Sequence, residues 1–199
     1  MKIVPQMNQG KTPFSGSTKV CGTMKPDITE AGAGLVWSED VVMKTLLIGL
    51  GNPILGDDGV GWRVVENVKR HLDPDSQVVV ECLSLGGISL MEHLIGYQRA
   101  ILVDAFISEE NIGSVFVYKL DEIPNYSAFH VSSAHDMTLQ SAIELGRWLG
   151  AVLPTDTTVV GIATRRIIDF SEELSAPVAE AIPKATEIVL GLLTEFALK

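Results

Sequence analysis

Residues 46–61 read Leu-Leu-Ile-Gly-Leu-Gly-Asn-Pro-Ile-Leu-Gly-Asp-Asp-Gly-Val-Gly. The apolar start predicts a buried strand over residues 45–50, because a continuous apolar run is typical of a parallel strand covered on both faces. The Gly, Asn and Pro residues that follow predict a turn. Apolar positions at helical spacing then predict a helix from Asp58 to about Leu72. In open α/β sheets, a loop placed in this way lies at the carboxyl end of a strand, where ligands bind.

The same alternation of strands and helices continues along the chain. Further strands are predicted at 78–83, 100–106, 114–118 and 157–163. Helices are predicted after Gly86-Gly87, over 136–149, and after Ser175, a candidate N-cap. Pro183 predicts a kink or a break into two pieces in the last helix. The fold class is therefore α/β, with three α/β/α layers and a mostly parallel twisted sheet.

Composition and charge restrict the classes of partner. Of the 199 residues, 46% are hydrophobic, which is enough for a sizeable core. Residues 1–43 have no sustained period, so we expect an irregular, flexible extension before a single domain at 44–199. That extension carries as many Lys as acidic residues, so the whole net charge of −10 lies in the domain. An acidic domain argues against a nucleic-acid partner. We also expect no membrane association and a cytoplasmic location, because neither a spanning run nor a secretory signal is apparent.

The residues present argue against two common functions, which are nucleotide binding by the glycine-rich turn and zinc binding by the cysteines. Ile54 stands where a dinucleotide fingerprint needs its third Gly, and this turn has no Lys for the Gly-Lys-Ser/Thr ending of a phosphate loop. Cys21 and Cys82 lack the paired spacing of a zinc site, and Cys82 falls in a predicted strand as a small core residue.

Two acids and a histidine are the candidates for a metal site. A carboxylate can cap a helix, but only one of Asp57 and Asp58 can occupy the cap. Asp104 ends a predicted strand, and His135 lies in a polar loop before a helix. Each fits a local hydrogen-bonding role by itself. Loops at the carboxyl ends of strands converge, however, and the carboxylates of Asp58 and Asp104 with the imidazole of His135 can bind a divalent transition metal.

The run Gly-Leu-Gly-Asn-Pro-Ile-Leu-Gly-Asp-Asp-Gly-Val-Gly at residues 49–61 resembles the signature of the hydrogenase maturation endopeptidases. The resemblance extends through Val103-Asp104-Ala105 and the loop from His130 to His135, and it covers about residues 44–195. It implies a three-layer, phosphorylase/hydrolase-like fold. It also implies an aspartic-type endopeptidase that removes a C-terminal extension from a nickel-iron hydrogenase large-subunit precursor after nickel insertion.

The family resemblance implies that Asp58, Asp104 and His135 are both the metal ligands and the catalytic residues. Asp57 is the alternative to Asp58, and His130 is the alternative to His135. Nickel would arrive with the precursor, and the enzyme is expected to be nickel-dependent and monomeric. Metal assistance agrees with the absence of an apparent Ser/His/Asp or Cys/His nucleophile set.

Two other functions remain open from the sequence. A non-catalytic nickel-binding checkpoint or chaperone for the same precursor would keep the ligands without the cleavage. A hydrolase similar to the peptidyl-tRNA hydrolases would share Gly-Leu-Gly-Asn-Pro, although Ile54 and the double acid replace that family's continuation. Residues 85–88, Leu-Gly-Gly-Ile, also stand where maturation endopeptidases often carry Asp-Gly-Gly-Thr.

Overall fold

Five strands form one sheet in the order β2-β1-β3-β5-β4 in this computed structural model, which describes residues 44–123, 137–165 and 170–197. β4 is antiparallel to its neighbour, and the other pairs are parallel. The strands are β1 Thr45–Leu50, β2 Val78–Leu83, β3 Arg99–Ile107, β4 Val115–Lys119 and β5 Asp156–Thr164. The helices are α1 Val60–Lys69, α2 Gly87–His93, α3 Leu139–Trp148 and α4 Ala176–Ala197. The predicted mostly parallel α/β sheet is confirmed.

Two apolar clusters lie on opposite faces of this sheet. On one face, α2 and α3 pack with side chains such as Ile48 and Leu102. On the other face, α1 and α4 pack with side chains such as Leu47 and Val103. Successive strand residues point to opposite faces, so each buried strand contributes to both clusters. The arrangement has the three predicted layers.

Packing overrides the local sequence signals at two helices. α4 continues through Pro183 as one helix, so the predicted break into two pieces is wrong. Val178, Ala185 and Val189 form a buried face along α4, and the packing of that face offsets the hydrogen bond that Pro183 cannot donate. The helix predicted from Asp58 begins instead at Val60, after a short 3-10 helix at Gly56–Gly59.

The order of the strands creates a switch point between β1 and β3. The chain leaves β1 towards β2 and then crosses back to β3 on the other side of β1. Ligands in open α/β sheets bind at the carboxyl edge beside such a point. Gly49 of β1 pairs with Val103 of β3, so Asp104 stands level with Leu50, the last residue of β1. The loop after β1 and Asp104 therefore meet at the place where this architecture forms sites.

Several predictions fall outside the described residues. These are the extension at residues 1–43 and the two histidines, His130 and His135. The residues that the structure describes fall in one compact unit. Among the described helices, none combines the length and apolar character that crossing a membrane requires.

Candidate active site

The double-acid loop is held against the end of β1 by backbone geometry. Gly51 has φ +128°, and a Cβ at this position would collide with the carbonyl oxygen of Asp58. Only glycine suits both conditions, because a side chain is disfavoured at this φ. The carboxylate oxygen Oδ2 of Asp58 accepts a hydrogen bond of 2.7 Å from the N–H of Asn52, which closes the loop. The sharp turn therefore returns Asp58 to the carboxyl end of β1.

The neighbouring strand β2 braces the same loop. The carbonyl oxygen of Leu83, the last residue of β2, accepts from the N–H of Gly51 at 3.1 Å and from the indole Nε1 of Trp62 at 3.2 Å. The hydroxyl of Ser84 donates to the carbonyl oxygen of Gly51 at 2.6 Å. These contacts fix the loop to β2 and to the first turn of α1.

Asp57 is a structural residue with a distant partner. Its Oδ1 accepts from the N–H of Ser175 at 2.6 Å, and its Oδ2 accepts from the hydroxyl of Ser175 at 2.8 Å. The residues that precede the two helices of this loop, Leu55 and Gly59, make no side-chain cap. The expectation that one acid caps its own helix is therefore wrong. Asp57 instead stabilises the N-terminus of α4, where a negative charge is favourable.

The carboxyl group of Asp104 is buried near the carboxyl end of β3. It has no solvent-exposed surface, and its Oδ1 accepts from the N–H of Ala105 at 2.9 Å. Alternation along β3 puts its side chain on the face of Leu102, which is the face covered by α2 and α3. A carboxylate in such a place needs strong partners, because burial of an uncompensated charge is costly. Asp104 therefore combines complete burial with a position beside the end of β1.

The first described residue after the two histidines lies near this same edge of the sheet. The described chain resumes at Met137, two residues after His135. Gly87, at the start of α2, has φ +52°, and a Cβ here would lie 2.8 Å from the carbonyl oxygen of Met137. Because α2 begins close to the carboxyl end of β2, Met137 lies near that edge as well. Met137 then leads into α3, which covers the face to which Asp104 points.

The structure thus brings two of the three predicted site residues to one edge. Asp58 lies in the loop that follows β1, Asp104 lies in β3, and these two strands border the switch point. Across residues 44–123, 137–165 and 170–197, no group of three or more His, Cys, Asp and Glu side chains is arranged to hold a metal ion. The predicted third ligand lies outside those ranges. Cys82 is half-buried, and burial raises the pKa of its thiol, which disfavours the thiolate that a nucleophile needs.

A model of the HycI family, described as hydrogenase maturation protease, matches residues 62–192. This chain belongs to the hydrogenase maturation protease family. A putative hydrogenase maturation protease of Methanocaldococcus jannaschii is 30% identical over 149 residues, which are 73% of this chain and 94% of that protein. The hydrogenase 2 maturation protease of Escherichia coli is 29% identical over 157 residues, 77% of this chain and 92% of that protein.

A solved structure agrees with this family membership. The hydrogenase maturating endopeptidase HybD from Escherichia coli has a TM-score of 0.58 and 26% identity, over 77% of this chain and 93% of that one. The family's task is to cleave the C-terminal extension of a hydrogenase large subunit, so the predicted function is confirmed at this level. This maturation protease is a hydrolase of peptide bonds.

Sequence reasoning missed one feature of the site. Ser175 is predicted as an N-cap, and it does stand just before α4, but its hydroxyl and N–H both donate to Asp57. The two residues are 118 positions apart, and no local pattern links them. This contact is what distinguishes the role of Asp57 from that of Asp58.

Proposed function

We propose that this maturation protease removes the C-terminal extension of a nickel-iron hydrogenase large-subunit precursor only after nickel has been inserted. Asp58, Asp104 and His135 would contact the nickel that the precursor carries. The observation that carries the proposal is the position of Asp58, in the loop that follows β1, and of Asp104, in β3, beside the switch point between these two strands. Two carboxylates and an imidazole are suitable ligands for a divalent transition metal.

The choice of Asp58 over Asp57 rests on their hydrogen bonds. Both oxygens of Asp57 are bonded to Ser175, so this acid is committed to the fold. Asp58 lies in the same turn, and the bond from Asn52 engages its Oδ2. That bond orients the carboxylate at the end of β1. We therefore propose Asp58 as the ligand on this loop.

The choice of a histidine rests on chain continuity. His135 is two residues from Met137, and Met137 lies against Gly87 near the carboxyl edge. His130 is five residues further from that point. His135→Gln and His130→Gln are a matched pair for this choice. We expect His135→Gln to reduce the cleavage rate at least about 100-fold, and His130→Gln to change it by no more than about threefold. The opposite result would assign the ligand to His130.

Nickel supplies Lewis-acid chemistry in this proposal. When bound with the precursor, nickel would polarise the scissile carbonyl or acidify a water molecule. The residues of the chain hold the loaded precursor so that the scissile bond faces the edge between β1 and β3. A carboxylate at this edge can accept a proton from water, which is the sense in which the enzyme is of aspartic type. We further propose that the enzyme acts as a monomer in the cytoplasm.

The test compares nickel-loaded and nickel-free large-subunit precursor, each incubated with the unmodified protein. Intact-mass spectrometry follows the C-terminus of the precursor. We expect the loaded precursor to lose a C-terminal peptide and the nickel-free precursor to keep its mass. Equal cleavage of both forms would contradict nickel dependence. Binding of the loaded precursor without release of a peptide would instead support the checkpoint or chaperone role.

A further inference from the structure

Among the residues that the structure describes, the outer edge of β4 is capped at its far end and unpaired in the half that lies nearest the active site. The sheet ends at β4, and no strand among the described residues pairs with its outer side. The backbone N–H of Lys119 donates to the carboxylate of Glu122 at 2.9 Å, so this N–H points away from β5. Because such groups alternate along a strand, the N–H and C=O groups of Val115 and Val117 also point outward. The Glu122 side chain closes the far end, and no described strand pairs with the outward groups of Val115 and Val117.

This open half is level with the candidate active site. Asp104 of β3 pairs with Gly161 of β5, and Gly161 pairs with Phe116 of β4. Neighbouring strands lie about 4.8 Å apart, so a strand added outside β4 would lie about 14 Å from β3. An extended chain spans that distance in about four residues. A segment bound on β4 could therefore continue directly to the edge that carries Asp104.

The side chains beside this edge suit an extended, partly apolar peptide. Phe116 and Tyr118 are 37% and 42% exposed, and their rings stack with centroids 6.3 Å apart on one face. Val117, on the other face, is 43% exposed. An added strand places alternate side chains over each of these surfaces, while its backbone bonds to the outward groups.

From these observations we propose that β4 binds a segment of the hydrogenase precursor as an added β-strand, at least about four residues from the scissile bond. The inference rests on the proposed function, because it takes the precursor as the occupant. A second copy of the chain is a poorer occupant. Three open residues cannot bury the roughly 1,200 Å² that a stable dimer requires, whereas they suffice for one peptide segment.

Val117→Pro tests the added strand. Proline removes the outward N–H, and an edge strand tolerates it where the N–H is not part of the ladder. Val117→Thr is the matched control, because it keeps the N–H and the β-branched shape. We expect Val117→Pro to raise the KM for nickel-loaded precursor about tenfold with kcat unchanged, and Val117→Thr to leave both unchanged. Equal KM values for the two variants, both folded, would overturn the inference. Cleavage by the unmodified protein would still uphold the proposed function.

Amide hydrogen exchange on the unmodified protein provides a second test that does not depend on the proline variant. Saturating nickel-loaded precursor, applied in a short labelling pulse, should protect the amides of Val115 and Val117. The amides of Phe116 and Tyr118 already face β5 and should change little. Unchanged exchange at Val115 and Val117 with bound precursor, or no binding at all, would overturn the inference. So would a dimer in sedimentation that Val117→Pro converts to a monomer, because the occupant would then be a second copy.

Discussion

Asp57 and Asp58 are adjacent in the sequence but contact different parts of the molecule. Asp57 is bound through both oxygens to Ser175 at the start of α4, and Asp58 accepts from Asn52 at the end of β1. The sequence could show that two acids cannot share one cap. It could not show which acid is structural, because the partner of Asp57 is distant in the chain. At the residue scale, a tertiary hydrogen bond therefore decides the assignment.

Cys82 is predicted to have no part in the reaction. Burial raises the pKa of its thiol, Glu66 raises it further, and Lys69 opposes the shift. In a Cys21→Ser background, the alkylation rate of Cys82 should therefore reach its midpoint at a higher pH than the rate of a free cysteine. Cys82→Ala should keep full cleavage. A midpoint below that of free cysteine would contradict the assignment.

The raised pKa of Cys82 also makes the stability of the fold depend on pH. A raised pKa means that the fold favours the protonated thiol, so this contribution is complete below the ordinary pKa of cysteine and is lost as the pH rises through the higher value. Burial also raises the pKa of Tyr97, with Glu81 adding to the shift, so Tyr97 acts in the same direction at alkaline pH. Thermal unfolding of Cys82→Ala should accordingly depend less steeply on alkaline pH than that of the unmodified chain.

At the scale of elements, periodicity predicted the regular parts of the sheet well. The strands at 45–50 and 78–83 have the predicted bounds, and β3 and β5 extend one residue beyond the prediction at each end. Their apolar runs reflect burial on both faces, which a sequence shows directly. The 3-10 turn before α1 escaped prediction, and the sequence left open whether α4 kinks or breaks at Pro183. Both depend on packing between elements, which local sequence does not encode.

The contact between Asp57 and Ser175 joins two elements, and its loss should weaken the fold. Asp57→Asn keeps the shape but replaces one acceptor oxygen with an amide and removes the charge at the start of α4. We expect a loss of about 1–3 kcal/mol in the free energy of unfolding, which lowers Tm by about 2–4 °C per kcal/mol. Ser175→Ala, which keeps the backbone donor, should lose less. A Tm of Asp57→Asn equal to that of the unmodified protein would show that the contact is not stabilising.

At the scale of the whole molecule, topology is what turns scattered residues into a candidate site. Asp58 and Asp104 are 46 positions apart, and their spacing alone indicates nothing. The strand order makes β1 and β3 neighbours on either side of the switch point, and so brings both residues to one edge. The sequence could predict this convergence because alternating strands and helices limit the possible sheets. It could not predict which half of the outer edge of β4 is open, because that depends on the hydrogen bond that Glu122 makes at one end of the strand.

The central claim, that Asp58 and not Asp57 serves the reaction, is tested most directly by the mass of nickel-loaded precursor after incubation with Asp58→Asn and with Asp57→Asn. Both variants are compared below their unfolding temperatures, so that stability does not affect the result. We expect Asp58→Asn to leave the precursor at its full mass, and Asp57→Asn to release the C-terminal peptide as the unmodified protein does. Release of the peptide by Asp58→Asn, with an intact precursor after incubation with a folded Asp57→Asn, would contradict the assignment.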